Sequence, residues 1–220
     1  MTKIEKAYEL PSHIILDGQA LSIAQVLAVA RHYAPITLGN ASILRIQAAR
    51  AVIDKMAAED QKVYGVTTGF GHLSKVRIPH DQLQDLQHNL LRSHAAGVGE
   101  PLSEEVTRAM MLLLGASLAR GNSGVRTEVV QLLLGLLNAR ICPIIPSRGS
   151  VGASGDLAPL AHLGLTLIGE GEVMLDGRRY PGKEALQQAG LAPLHLQAKE
   201  GLAKKRLAAY GPNTEGSYNE

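Results

Sequence analysis

Apolar positions along the chain recur mainly at helical spacing. Ser22 is placed to cap a helix in which Ile23, Val26, Leu27 and Ala30 share one face. Asn40 begins a longer helix with Ile43, Ile46, Ala49, Ile53 and Met56 on one side. Asp81 to His94 gives another, carried by Leu83, Leu86 and Leu90, and Ser103 followed by Glu104 and Glu105 opens one over Val106 to Arg120. Thr127 to Ala139 is apolar nearly all round, which predicts a helix buried against other helices. Strand signals are few and short. His13 to Leu16 ends in Asp17-Gly18, and Met174 to Arg179 carries Asp176-Gly177 between short flanks, a hairpin pattern. The pattern predicts a mainly α fold without repeats, low-complexity tracts or a clear linker.

Composition narrows the function. The chain has 220 residues, 45% of them hydrophobic, enough to bury a core as one large or two small domains. A formal charge of +2, with lysines and arginines scattered, gives no footprint for nucleic acid. Aromatic residues make up 3% of the chain and Trp is absent, so stacking platforms for bases or sugars are not expected. The single cysteine, Cys142, lies in an apolar run and reads as a buried spectator thiol in a reducing compartment. No His-x-x-x-His or cysteine cluster points to a metal. No stretch of about 18 apolar residues and no signal-peptide pattern occurs, so a cytoplasmic protein without a membrane span is expected.

One stretch stands apart from the helical pattern. Residues Gly149 to Asp156 hold three glycines and three other small residues in eight positions, directly before a helix-like segment. Such a run folds as a tight loop, because glycine reaches backbone conformations that a Cβ forbids. A serine-hydrolase elbow needs Gly-x-Ser-x-Gly, and the glycine after Ser154 comes one place early. A phosphate loop needs Gly-Lys-Ser/Thr, and a dinucleotide fingerprint needs Gly-x-Gly-x-x-Gly; neither spacing is present. A structural glycine turn before a helix remains as the plain alternative.

The chemistry special to Ala153-Ser154-Gly155 is backbone cyclisation. Attack of the Gly155 nitrogen on the Ala153 carbonyl carbon, with loss of two waters, gives a five-membered ring in which Ser154 has become a methylene. The product is an electrophile, which ordinary side chains do not supply. The run Gly149-Ser150-Val151-Gly152-Ala153-Ser154-Gly155-Asp156-Leu157-Ala158-Pro159-Leu160 closely resembles the motif of the histidine and phenylalanine/tyrosine ammonia-lyases. That resemblance implies a 4-methylidene-imidazol-5-one (MIO) group made autocatalytically from Ala153, Ser154 and Gly155, with no metal or diffusible cofactor. It also implies the N-terminal part of the fumarase/aspartase-like helical fold, with short strands and loops carrying the site.

The same resemblance gives roles to other residues. Tyr64-Gly65-Val66-Thr67-Thr68-Gly69-Phe70-Gly71 is similar to the loop that carries the family's catalytic tyrosine, which makes Tyr64 the expected base. A phenol with an ordinary pKa of about 10 needs its anion stabilised to take a weakly acidic β-proton near neutral pH. Read without the family, Tyr64 is a packed aromatic whose hydroxyl finds a partner. Ser93-His94 resembles the histidine-selective form, where tyrosine lyases tend to show His-Leu and phenylalanine lyases Phe-Leu. An imidazole at His94 can exchange hydrogen bonds with a substrate imidazole. Asp156 matches an aspartate that supports MIO formation, and also reads as a plain carboxylate at a helix N-terminus. Gly121-Asn122-Ser123-Gly124-Val125-Arg126 is similar to a family segment, and also reads as a glycine-rich turn with solvated arginines.

The resemblance runs from about Ile14 to Ala203. Residues 1–203 are expected to be the MIO-bearing portion. Residues 204–220, from Lys204-Lys205-Arg206, depart from the family's Asn-Gly-Thr segment and are expected to be a poorly ordered tail from a shifted frame or truncated gene. The implied reaction is removal of ammonia from L-histidine to give trans-urocanate, in a homotetramer whose sites combine three subunits; the 220-residue chain alone is expected to be a truncated form without lyase activity. Deamination of phenylalanine or tyrosine, or an aminomutase reaction, is the alternative on the same scaffold. A non-catalytic fragment or associating subunit is the alternative of another kind.

Overall fold

The computed structural model describes residues 8–58, 82–150 and 157–203. Their elements run β1 (Ile14–Leu16), α1 (Ile23–His32), β2 (Ile36–Leu38), α2 (Asn40–Ala58), α3 (Leu83–His94), β3 (Val98–Pro101), α4 (Glu104–Leu118) and α5 (Thr127–Asn138). There follow β4 (Cys142–Pro143), β5 (Pro146–Arg148), α6 (Leu157–Leu167), β6 (Glu172–Leu175), β7 (Arg178–Pro181), α7 (Gly182–Gln188) and α8 (Glu200–Ala203). The fold is mainly α, as the periodicity predicts.

Helix α5 is the centre of the core. Val129, Val130, Leu133 and Leu136 are fully buried on it, and Leu132, Leu134 and Leu137 nearly so. Around it pack α4, β2, α2 and α6, and α1 lies against α4. The expected N-terminus of α1 is observed as a capping box: the Ser22 hydroxyl accepts from the Gln25 N–H, and the Gln25 side chain accepts from the Ser22 N–H. Its buried face differs from expectation. Ala28, Val29 and Ala30 are buried, whereas Ile23 is 60% exposed. Ile23 is the first residue of α1.

One charged residue lies within this apolar core. Arg108 is 1% exposed on α4, where its guanidinium donates to the carbonyls of Val29 at 2.9 Å and Leu137 at 3.1 Å. These oxygens lie near the ends of α1 and α5, where carbonyls lack helical donors. Arg108 also stacks over the Tyr33 ring at 4.4 Å, with Arg140 at 4.7 Å from that ring.

The sheets are small. β1 and β2 pair in parallel across α1, while β6 and β7 form the hairpin that Asp176-Gly177 predicts, with β4 added antiparallel to β6. Both turn residues take positive φ, 48° at Asp176 and 75° at Gly177. β3 and β5 pair antiparallel, with Val98 opposite Arg148 and Pro101 opposite Pro146. Nothing in the hydrophobic alternation predicts that pair, and it is the one that organises the site.

Candidate active site

Of the residues assigned to the site from sequence, His94 lies within the described structure. Tyr64, Ala153, Ser154, Gly155 and Asp156 lie outside the described residues. The structure therefore describes the frame on which these positions are mounted.

His94 is the last residue of α3 and is half-buried. Its Nδ1 is 2.8 Å from the Leu90 carbonyl oxygen, an acceptor, which places a proton on Nδ1. The Ser93 hydroxyl is 3.0 Å from the same Nδ1 and 3.2 Å from the same carbonyl. The Ser-His pair thus fixes the imidazole's orientation at the helix end.

Directly after α3 the chain meets the stem of the glycine-rich loop. β3 lies beside β5, whose last residue precedes Gly149. Gly97 and Gly149 touch backbone to backbone: a Cβ on Gly149 would stand 3.0 Å from the Gly97 Cα and 3.1 Å from the Ala158 Cβ. Gly149 has φ 153°, a conformation that favours glycine. On the other side of the loop, α6 starts at Leu157 and packs against α3. His162 on α6 accepts a hydrogen bond at Nε2 from the Gly97 N–H, at 3.1 Å. Gly149, and His162 on α6, therefore both lie against Gly97, three residues after His94. Small residues at 97, 149 and 158 make that closeness possible.

A second polar cluster holds the far end of the described chain to α3. Glu200 is fully buried. Its carboxylate accepts from Arg126 Nε at 2.8 Å, Arg126 Nη2 at 2.9 Å, and the backbone N–H groups of Gln197 at 2.9 Å and Arg126 at 3.1 Å. Arg50 of α2 stands 3.8 Å away and donates to the Ala198 carbonyl at 3.2 Å. Gly201 then donates its N–H to Gln87 Oε1 on α3 at 2.8 Å. A Cβ on Gly201 would meet the Gln87 carbonyl oxygen at 2.9 Å, so glycine is required for this approach. Arg126 is thus a clamp and not the solvated turn residue its sequence setting suggests.

Electrostatics follow the packing. Burial lowers the pKa of His162, which keeps the ring neutral and its Nε2 able to accept. Burial, and then the neighbouring Arg92, lower that of His88, whose Nε2 lies 3.5 Å from the Leu196 N–H. Burial opposes the charge on Glu200, yet hydrogen bonds from Arg126 and Gln197 hold its pKa below the usual carboxylate value. Burial pushes the Cys142 thiol up to about 11, in keeping with an inert buried thiol. Among the described residues, no group of three His, Cys, Asp or Glu side chains could hold a metal ion, and no helix is long and apolar enough to cross a membrane.

Sequence reasoning gives no role to His162, Glu200 or Gln87. Glu200 leaves a trace, as a lone acid amid Gly, Ala and Leu. Its partners Arg126 and Arg50 are 74 and 150 positions away, a distance that no local pattern bridges. His162 follows the glycine-rich loop on a helix whose other residues are nearly all apolar, and its partner is a backbone N–H, which no sequence displays.

Comparison with known proteins defines the class to which this frame belongs. The aromatic amino acid lyase family matches residues 21–204, and the chain belongs to that family. The family is MIO-dependent. The chain is 52% identical over 190 residues to a histidine ammonia-lyase of Myxococcus xanthus, covering 86% of this chain and 37% of that protein. Among solved structures, histidine ammonia-lyase from Trypanosoma cruzi superposes with a TM-score of 0.82 at 41% identity, covering 89% of this chain and 38% of that one. The ergothioneine-degrading ergothionase of Treponema denticola gives a TM-score of 0.86 at 33% identity, covering 89% and 39%. The chain spans under two-fifths of the length of these relatives.

Proposed function

We propose that this chain carries the MIO-bearing part of a histidine ammonia-lyase, which removes ammonia from L-histidine to give trans-urocanate. The observation that supports the reading is Ser93-His94, held at the end of α3 three residues before Gly97, whose N–H bonds His162 on the helix that follows the Ala153-Ser154-Gly155 run. An imidazole oriented there is placed to recognise a second imidazole. The 52% identity to a histidine ammonia-lyase supports the same choice of substrate.

In this reading Ala153, Ser154 and Gly155 form the MIO ring, with Asp156 supporting its formation. That ring supplies an electrophile that makes the substrate amino group a better leaving group. Tyr64, as its phenolate, takes the β-proton. His94 holds the substrate imidazole, its own ring oriented by the contact of Nδ1 with the Leu90 carbonyl oxygen. Residues 1–203 make up the lyase portion and residues 204–220 stand outside it. The working form is a cytoplasmic homotetramer with no metal or diffusible cofactor.

The test joins residues 1–203 to the C-terminal portion of the Myxococcus xanthus relative and compares amino acids as substrates. L-Histidine is expected to be preferred over L-phenylalanine and L-tyrosine, and His94→Leu to reduce that preference by about 1–3 kcal/mol, the cost of an unmade buried hydrogen bond. Faster deamination of tyrosine than of histidine defeats the assignment.

A further inference from the structure

Resting on the function just proposed, we infer that His162 is a positioning residue of the site: its hydrogen bond from Gly97 fixes the end of α3 that carries His94 against α6, the helix that follows Ala153-Ser154-Gly155 in the chain. Three contacts converge on this point. His162 Nε2 takes the Gly97 N–H at 3.1 Å. Gly97 in turn lies against the other stem of the loop, where an added Cβ would stand 3.2 Å from Pro146 Cβ and 3.3 Å from the Arg148 carbonyl oxygen. Gly149 closes the junction, where an added Cβ would stand 3.0 Å from the Gly97 Cα and 3.1 Å from the Ala158 Cβ. The segment after His94 is thus held between the strand entering the loop and the helix leaving it.

Only a neutral imidazole with its proton on Nδ1 can accept at Nε2, and burial of His162 favours the neutral ring. The alternative fates of a buried amide explain why a side chain is needed here. Gly97 has left α3, whose last capping bond is Ala95 N–H to the Leu91 carbonyl, and it precedes the β3–β5 ladder, which begins at Val98. Its N–H therefore falls between helix and strand, and His162 supplies the acceptor that neither provides. Without it the chain between His94 and Val98 loses a direct hydrogen bond to α6.

Misplacement of a reacting group by about 1 Å can cost about a hundredfold in rate, so a positioning residue outside direct contact with substrate has a measurable signature. The first test uses the 220-residue chain and reads hydrogen exchange of the Gly97 amide by NMR. His162→Leu is expected to remove its protection, while His162→Gln, whose side-chain oxygen can accept, is expected to keep it. Gly97→Ala approaches the same contact from the opposite side, since its Cβ would stand 3.1 Å from His162 Nε2. That variant serves if His162→Leu fails to fold.

The second test uses the completed chain described above, with turnover counted per modified loop from the mass of the peptide spanning Ala153 to Gly155. His162→Leu and Gly97→Ala are each expected to lower kcat on L-histidine about a hundredfold with a smaller change in KM. His162→Gln is expected to recover most of it. Combining His162→Leu with Gly97→Ala is expected to cost less than the sum of the two separate effects. Unchanged Gly97 protection in His162→Leu overturns the inference, as does unchanged kcat per modified loop. Preference of the unmutated completed chain for tyrosine refutes the function proposed above, and Gly97 protection then decides the role of His162.

Discussion

The core around α5 and the face formed by α3, α6 and α8 are held together by different physics. Around α5 the contacts are apolar and numerous: Met111, Leu112 and Leu114 of α4 meet Val129, Val130 and Leu133 at full burial. No single pair decides the arrangement, because area burial is non-directional. On the other face, a few directional contacts carry the geometry: Gly97 to His162, Gly201 to Gln87, and Glu200 to Arg126. A closely fitted glycine is the donor in the first two. The first region makes the chain fold, and the second sets where chemistry-bearing segments lie relative to each other.

Breaking the core should produce the largest change in stability. Leu133→Ala opens a cavity at a fully buried position and is expected to cost about 2–5 kcal/mol, read from denaturant midpoints. His94 should keep its contact with Leu90 in whatever fraction remains folded. Glu200→Ala comes next, at about 3 kcal/mol, because it removes the partner of the partly buried Arg126 guanidinium and the acceptor of two backbone N–H groups. Its distinguishing feature is locality. Amide exchange should rise first at Gln197 and Gly201, both tied to this cluster, and least on α5. Equal rises on α5 contradict the division into two regions.

The smallest effect is a pH dependence belonging to the second region. His162 and His88 have folded pKa values below the ordinary one, so the unfolded chain binds more protons between the two values. Their stabilisation is fully present above the ordinary value of about 6.5 and is lost as pH falls through the folded values. Glu200 adds a second, more acidic loss: its stabilisation is present above the ordinary carboxylate value and disappears as pH falls through its lowered one. Denaturant midpoints measured at about pH 7.5 and about pH 5.5 should therefore differ, and replacing both histidines with Gln should flatten that difference. An unaltered slope in the double variant contradicts the assignment.

The two regions also differ in how far the sequence reveals them. Burial repeats with the helix period, so α1, α2, α4 and α5 are legible from spacing, and Ser22, Ser103 and Thr127 mark where helices begin. The Asp176-Gly177 hairpin is legible because its turn needs residues that tolerate positive φ. Ile23 departs from its expected burial, since a period says which side of a helix is apolar and not which of its turns are covered. The site is legible as motif: Ser93-His94 and the 149–156 run both stand out by their residue types. The approach of Gly97 to Gly149 and His162 is not legible, since the β3–β5 pairing joins short segments without alternation, and the Gly97 bond to His162 uses a backbone donor. Arg108 shows the same gap from the other side. Its place on the apolar face of α4 is open to reading, whereas the Val29 and Leu137 carbonyls it satisfies come from other helices.

The function proposed for this chain predicts a change in mass at Ala153-Ser154-Gly155. In the completed chain, purified in folded and tetrameric form, the proteolytic peptide spanning Ala153, Ser154 and Gly155 should be lighter than its sequence by two waters. Ser154→Ala should return that peptide to its unmodified mass and abolish deamination of L-histidine. An unmodified peptide from the folded, tetrameric protein contradicts the account.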